Sequence, residues 1–115
     1  MNGWKFKTVT IIVPTKDRDG NLLPDHETDV QAVVAEMVDH YGGATATKAQ
    51  GAWKDPETGN VHLEDCTRVE SWVDPGQHQL GKARAWSYCK TMARVLNQAE
   101  VALIIDGTYY GVKGE

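Results

Sequence analysis

The sequence has only two cysteines, a single phenylalanine and no long apolar run. Cys66 and Cys89 lack the Cys-x-x-Cys spacing of zinc and redox motifs, so neither kind of centre is indicated. No apolar stretch approaches the roughly 20 residues of a membrane-spanning helix. The stretch from Val9 to Val13 ends at Pro14 and is too short for the apolar core of a signal peptide. We therefore expect a cytoplasmic protein without a membrane partner.

Positive charge is also scarce. Twelve lysines and arginines face 16 aspartates and glutamates, which leaves a formal net charge of −4. Proteins that hold nucleic acid mainly through phosphates carry a basic stripe, because phosphate neutralisation supplies much of the affinity. No such stripe is visible here, and the Lys/Arg-Gly-aromatic signature of RNA-recognition strands is missing. Nucleic acid is therefore not an expected partner.

Motifs of catalysis are absent as well. The sequence contains no Ser-His-Asp motif, nucleophile elbow or Walker loop, so it singles out no catalytic residue and indicates no cofactor. The four histidines are scattered over separate predicted elements. His62 and Glu64 could act as an acid–base pair, and a small cofactor-independent enzyme therefore stays open as an alternative.

What is present is a strong pattern of secondary structure in a chain of 115 residues, the usual size of one domain. Strands are predicted over residues 4–13, 44–53, 61–73 and 101–112, and a second helix over 83–98. The first helix begins at Asp25 or Thr28 and ends at Gly42. It carries the clearest apolar stripe of the chain, formed by Val30, Val33, Val34, Met37, Val38 and Tyr41.

This order of elements predicts a single ferredoxin-like domain over residues 1–115. The order is β-α-β-β-α-β, which gives an α+β fold with a four-stranded antiparallel sheet and both helices on one face. Alternation along the strands then places several large apolar side chains on the opposite, uncovered face, which we call the open face. They are Trp4, Phe6, Ile12, Trp72, Ile104 and Tyr110.

A monomer rarely leaves so much contiguous apolar surface in water, so we expect a homo-oligomer that associates through the open face. Trp4, Phe6, Ile104 and Tyr110 are the residues assigned to that interface. Two alternatives stay open. A bulge near Thr8 would turn some of these side chains inward, or the open face binds a ligand or another protein.

Ligand-binding side chains can also be proposed from the same pattern. Trp53 or Trp72 could stack a base, and Lys16, Arg18 or Arg68 could hold a phosphate. His62, Glu64 and Cys66 alternate along one strand and could face one metal ion, but no fourth ligand is indicated, so we expect no metal site. The sequence thus predicts ligand or partner contacts at Lys16, Arg18, Trp53, His62, Glu64, Arg68 and Trp72.

Four segments resemble a pattern found in short bacterial and phage proteins of unknown activity. They are Ile12-Val13-Pro14-Thr15-Lys16-Asp17 with Asp19-Gly20, then Tyr41-Gly42-Gly43-Ala44-Thr45, then Gly51-Ala52-Trp53, and Gly59-x-Val61-x-x-Glu64. The resemblance covers about half of the chain and implies the fold. Some phage proteins of this size sequester nucleotide signals or block host proteins, which by analogy favours a binding role.

Together these observations predict a non-enzymatic binding or regulatory domain that acts as a homo-oligomer. The first alternative is a protein that binds or sequesters a nucleotide or another small molecule through tryptophan, lysine and arginine side chains. The second alternative is the small cofactor-independent enzyme.

Overall fold

A computed structural model describes residues 6–74, 76 and 78–114. Its elements, in chain order, are β1 (Lys7–Pro14), α1 (His26–Tyr41), β2 (Thr45–Lys54), β3 (Val61–Val73), α2 (His78–Val95), β4 (Val101–Ile105) and β5 (Thr108–Val112). Trp4, which was predicted for the open face, lies outside the described residues.

Helix α1 has the caps that its sequence predicts. The Asp25 side chain accepts a hydrogen bond from the Thr28 backbone N–H, which would otherwise lack a partner in the first turn. At the other end Gly42 has a φ of 89° and donates its N–H to the Val38 carbonyl. This left-handed conformation costs glycine little, so the helix ends there.

The sheet has five strands in the order β2-β3-β1-β4-β5, and all neighbouring strands are antiparallel. The predicted four-stranded ferredoxin-like sheet is therefore wrong, although the α+β class is confirmed. The predicted last strand is a hairpin, because Asp106 and Gly107 have φ values of 49° and 86°. Two consecutive positive φ angles are what a tight two-residue hairpin turn requires, and Asp-Gly is a preferred sequence for it.

The core lies between the two helices and one face of the sheet. β1 buries Val9, Ile11 and Val13 there, and β4 buries Val101, Leu103 and Ile105. Helix residues of the same apolar cluster are Val33, Met37, Ala85, Cys89, Met92 and Ala93. Both helices thus cover the same face. Within the described residues, no helix is long and apolar enough to span a membrane.

The hairpin also corrects the face assigned to Tyr110. In one continuous strand Ile104 and Tyr110 would point to the same side, but in the hairpin Ile104 pairs with Tyr109 and Leu103 pairs with Tyr110. Because directly opposite residues share a face, Tyr110 lies with Leu103 on the helix side. Its ring packs edge-on against Trp86 at 5.4 Å, so its assignment to the open face is wrong.

Elsewhere the face assignment agrees with the sequence. β1 and β3 pair without interruption from Lys7 to Pro14, so the bulge considered near Thr8 does not occur. Ile12 pairs with Arg68 on the open face. Cys66 and Cys89 are both free thiols, and they lie on opposite sides of the sheet.

Candidate functional site: a groove on the open face

The open face contains a groove of about 740 Å³. A volume of this size lies within the usual range for small-molecule sites. All five strands and the segment before β4 contribute to its lining. The lining residues are Ile12, Pro14, Gly51, Ala52, Trp53, Glu64, Cys66, Gln98, Ala99, Glu100, Val101, Ala102 and Tyr109. The groove is therefore mainly apolar, with two aromatic rings and two carboxylates.

Trp53 is held in place by its neighbour across the β2–β3 pair. His62 lies directly opposite Trp53, and the two rings stack with centroids 4.5 Å apart and planes 22° from parallel. His62 in turn lies 4.0 Å from an Asp55 carboxylate oxygen. The indole nevertheless stays 55% exposed, so it can offer aromatic surface to a flat ligand.

Glu64 is positioned by the loop that follows β1. Its Oε1 accepts a hydrogen bond from the Lys16 backbone N–H at 3.2 Å. The same loop is tied to β3 by Thr15, whose hydroxyl donates to the Asp65 carbonyl at 2.6 Å. The bond from Lys16 engages one oxygen of the Glu64 carboxylate and holds the side chain at the groove.

Glu100 and Tyr109 form the second polar corner. The Tyr109 hydroxyl donates to Glu100 Oε1 at 3.1 Å. The Glu100 carboxylate lies over Gly111, where an added Cβ would overlap Glu100 Oε2. Glycine at position 111 therefore gives the carboxylate the room to reach Tyr109.

Two groups of the groove stay protonated at neutral pH. Burial raises the pKa of the Cys66 thiol, and the nearby Glu64 carboxylate raises it further. Burial, together with the bond to Glu100, also raises the pKa of the Tyr109 hydroxyl. Since a thiol attacks only as thiolate, Cys66 is a poor nucleophile here. Among the described lining residues, Glu64 and Glu100 are the groups that can accept a proton or attract a cation.

The structure separates the ligand contacts predicted from sequence. Trp53 and Glu64 line the groove, His62 supports Trp53, and Lys16 takes part through its backbone. Arg18 lies elsewhere, with its guanidinium donating to the Gln98 carbonyl at 2.6 Å.

Arg68 and Trp72 lie on the open face but outside the groove lining. Arg68 is 3.6 Å from Glu70 Oε2, an oxygen that also accepts a bond from the Thr10 hydroxyl at 2.8 Å. It therefore belongs to a surface ion pair. Trp72 is 61% exposed and Phe6 is 48% exposed, whereas Ile104 is half-buried.

Sequence reasoning missed Tyr109, Glu100 and Gln98. The Asp106-Gly107 pair was the available signal for Tyr109, because a hairpin at that point places Tyr109 beside Ile104. Glu100 and Gln98 carried no such signal, because Gln98 was assigned to the end of the predicted second helix, which stops at Val95 in the structure, and Glu100 lies in the connection that follows. Within the described residues, no group of three or more histidine, cysteine, aspartate or glutamate side chains is arranged to hold a metal ion.

No protein-family model and no curated protein matches the sequence. Solved structures with a similar fold include a phage SAM lyase in complex with S-methyl-5′-thioadenosine. The TM-score is 0.71 and the sequence identity is 14%. The match covers 98% of this chain and 93% of that chain. A phage SAM lyase in the apo state gives a TM-score of 0.62, 16% identity, and coverage of 96% and 90%.

A Bacillus cereus protein related to NIF3 gives a TM-score of 0.54 at 15% identity, with 97% of this chain matching 28% of that one. At these identities the likeness establishes a shared fold. The chain is thus similar in fold to small phage proteins over nearly its whole length.

Proposed function

We propose that the groove on the open face binds S-adenosylmethionine and that the protein cleaves it to S-methyl-5′-thioadenosine. The observation that carries this proposal is an apolar groove of about 740 Å³ that combines Trp53 and Tyr109 with Glu64 and Glu100. The likeness to phage SAM lyases over nearly the whole of both chains supports it. The sequence favoured a non-enzymatic binding domain, and the likeness to phage SAM lyases is the reason for proposing the enzyme alternative instead.

The lining suits each part of this ligand. The adenine can stack on Trp53, whose orientation is set by His62, and such stacking contributes about 1–3 kcal/mol per base. The sulfonium carries a positive charge, which is attracted both by aromatic faces and by carboxylates. Glu64 and Glu100 supply two carboxylates in the groove, and the substrate ammonium group can bind to either.

The groove also suits a reaction that removes charge. Cleavage breaks the bond between sulfur and Cγ of the amino-acid part, and its electron pair passes to sulfur, which becomes a neutral thioether. A carboxylate oxygen of the substrate itself can form the new bond to Cγ, which closes a five-membered lactone without water or proton transfer. Because two opposite charges disappear, an apolar surrounding favours this step.

The arrangement of charges in the groove favours the same route. Among the described lining residues there is no lysine or arginine, so the substrate carboxylate meets no counter-ion there. It is therefore less stabilised as a free anion and more reactive toward Cγ. The role of the protein is then to fold the substrate, exclude water and hold its cationic groups.

The test is incubation of the purified protein with S-adenosylmethionine, followed by mass spectrometry of the products. We expect S-methyl-5′-thioadenosine and homoserine lactone, with strongly reduced turnover in Glu64→Gln and weaker binding in Trp53→Ala. Glu57→Gln, which removes an exposed carboxylate in the β2–β3 turn, is the matched control and should retain activity. No cleavage and no binding by the wild type would exclude the proposal, whereas binding without cleavage would leave a sequestering protein.

A second proposal concerns the end of the open face outside the groove. We propose that a second copy of the chain covers the surface around Trp72 and Phe6, which are 61% and 48% exposed. Burial of a large apolar side chain contributes roughly 1.5–3 kcal/mol, so a self-complementary contact would stabilise a homo-oligomer.

Light scattering at micromolar concentration tests this contact. We expect a mass above 12.7 kDa for the wild type and a return to that value in Trp72→Glu. A monomeric wild type would exclude self-association. An unchanged mass in the variant would place the interface elsewhere.

A further inference from the structure

A second depression, of about 630 Å³, lies where α2 ends and the chain turns toward β4. Its polar lining comes from distant parts of the sequence. Arg18 follows β1, Arg94 lies in the last turn of α2, and Lys113 follows β5. The rest of the polar lining comes from the side chains of Asn97 and Gln98 and from the backbone of Gly114. The fold thus brings three cationic side chains to one depression, although the chain carries a net charge of −4.

These three cations have no carboxylate partner among the ion pairs of the described residues. Two neighbouring acids are engaged by other groups. Asp17 Oδ1 accepts the backbone N–H groups of Asp19 and Asn21. Asp19 Oδ2 accepts a bond from the Asn97 side chain at 3.1 Å. Among the described residues, therefore, no direct pairing with a carboxylate neutralises the cationic charge at the depression.

The depression is built on a buried polar anchor. Gln98 is only 9% exposed, and its side-chain amide donates to the carbonyls of Lys16 and Leu96. Its own carbonyl accepts the Arg18 guanidinium at 2.6 Å, and the Arg18 backbone N–H donates to the Asn97 carbonyl at 2.8 Å. A guanidinium has five N–H donors, so Arg18 keeps donors for a ligand after this bond is made.

Three carbonyls in the last turn of α2 are already hydrogen-bonded, which reduces the repulsion that an anion would meet there. The acceptors are the carbonyls of Met92, Ala93 and Arg94, which take the N–H groups of residues 96, 98 and 97. Gly114 brings the chain after β5 against the helix, because an added Cβ would lie 2.6 Å from Arg94 Cγ. This close approach positions Lys113 beside Arg94.

We propose that this depression is a second ligand site that binds a phosphate group. Guanidinium groups match phosphate oxygens in a two-bond geometry, and a lysine adds a compact positive charge. The site is distinct from the groove, and of the described residues only Gln98 and Ala99 line both. The ligand is either free phosphate or a phosphate monoester such as a nucleotide, and both share the same chemistry.

Calorimetric titration with sodium phosphate, against sodium chloride at equal ionic strength, tests the site. The variant R94Q/K113Q removes two of the cations, and K48Q/K54Q removes two exposed lysines of β2 as a control for net charge. We expect phosphate binding in the wild type and in the control, and at least a tenfold weaker affinity in R94Q/K113Q. Equal affinity in all three proteins, an equal loss in the two variants, or no binding by the wild type would overturn the proposal.

Amide chemical shifts provide a readout that needs no variant. Phosphate should move the signals of Asn97, Ala99 and Gly114 in the wild type, and shifts confined to other residues would overturn the proposal. Titration with adenosine monophosphate and with adenosine identifies the source. If adenosine monophosphate binds more tightly than phosphate, the ligand of the site is a nucleotide. If the two bind equally, the site recognises the phosphate group alone.

Discussion

Replacing Gly51 by isoleucine should close the groove without harming the fold. Gly51 lies on β2 directly opposite Glu64 and lines the groove. An added Cβ would meet only the Glu64 carbonyl oxygen at 3.9 Å, an ordinary van der Waals contact. The larger side chain therefore projects into the space beside Glu64 rather than into the sheet.

We expect Gly51→Ile to have different effects on the stability of the fold and on ligand binding. Glycine weakens a strand and isoleucine favours one, so Gly51→Ile should leave the free energy of unfolding unchanged or raise it by up to about 1 kcal/mol. Binding of S-adenosylmethionine should weaken at least tenfold, which corresponds to about 1.4 kcal/mol. Urea unfolding and calorimetric titration measure the two quantities separately.

Gln50→Ile is the control for isoleucine in β2, because it places the same strand-favouring side chain at the adjacent position of the same strand. Gln50 pairs with Asp65 and is absent from the groove lining, so its replacement should leave binding unchanged. Normal binding by Gly51→Ile would refute the assignment of the groove as the site. A marked loss of stability in that variant would refute the argument about free space at position 51.

Three further predictions concern the core, the thiol on α2 and the polar corner of the groove. Ile11→Ala should lower the free energy of unfolding by about 2–5 kcal/mol in urea, because Ile11 is fully buried and a cavity would remain. Burial raises the pKa of the Cys89 thiol to about 12 from its ordinary value near 9. Between these values the folded chain keeps a proton that the unfolded chain releases. The contribution of the Cys89 thiol to the free energy of unfolding is therefore complete below pH 9 and is lost toward pH 12. In this range the free energy of unfolding falls by up to about 1.4 kcal/mol per pH unit. Unfolding curves from pH 8 to 10.5 should show a shallower decline for Cys89→Ala, and equal slopes would contradict the assignment. Gly111→Ala should displace the Glu100 carboxylate from Tyr109. The raised pKa of the Tyr109 hydroxyl should then fall, as measured by ultraviolet titration, while the melting temperature stays nearly unchanged.

Local patterns in the sequence determined much of the architecture. The caps at Asp25 and Gly42 and the buried positions Val33 and Met37 follow from helical periodicity and backbone preference. The bounds of β3, Val61–Val73, follow from a turn on one side and Pro75 on the other. These features depend on interactions within a few residues, so one sequence suffices to predict them.

The number of strands and the face of Tyr110 were not predicted, although their cause is local. The Asp106-Gly107 pair provides two positive φ angles, and the resulting turn exchanges the faces of all residues beyond it. A change of one position in strand register moves every side chain to the other side of a sheet. One overlooked turn therefore assigned Tyr110 to the open face in place of Tyr109.

Only the tertiary structure decided which side chains meet. The groove joins Trp53 and Glu64 to Glu100 and Tyr109, and the second depression joins Arg18 to Arg94 and Lys113. These residues are far apart in the chain and carry no shared periodicity. Their proximity depends on the pairing of β1 with both β3 and β4, and on the packing of the chain after β5 against α2. Such long-range register is set by burial of the whole apolar face, which no local pattern specifies.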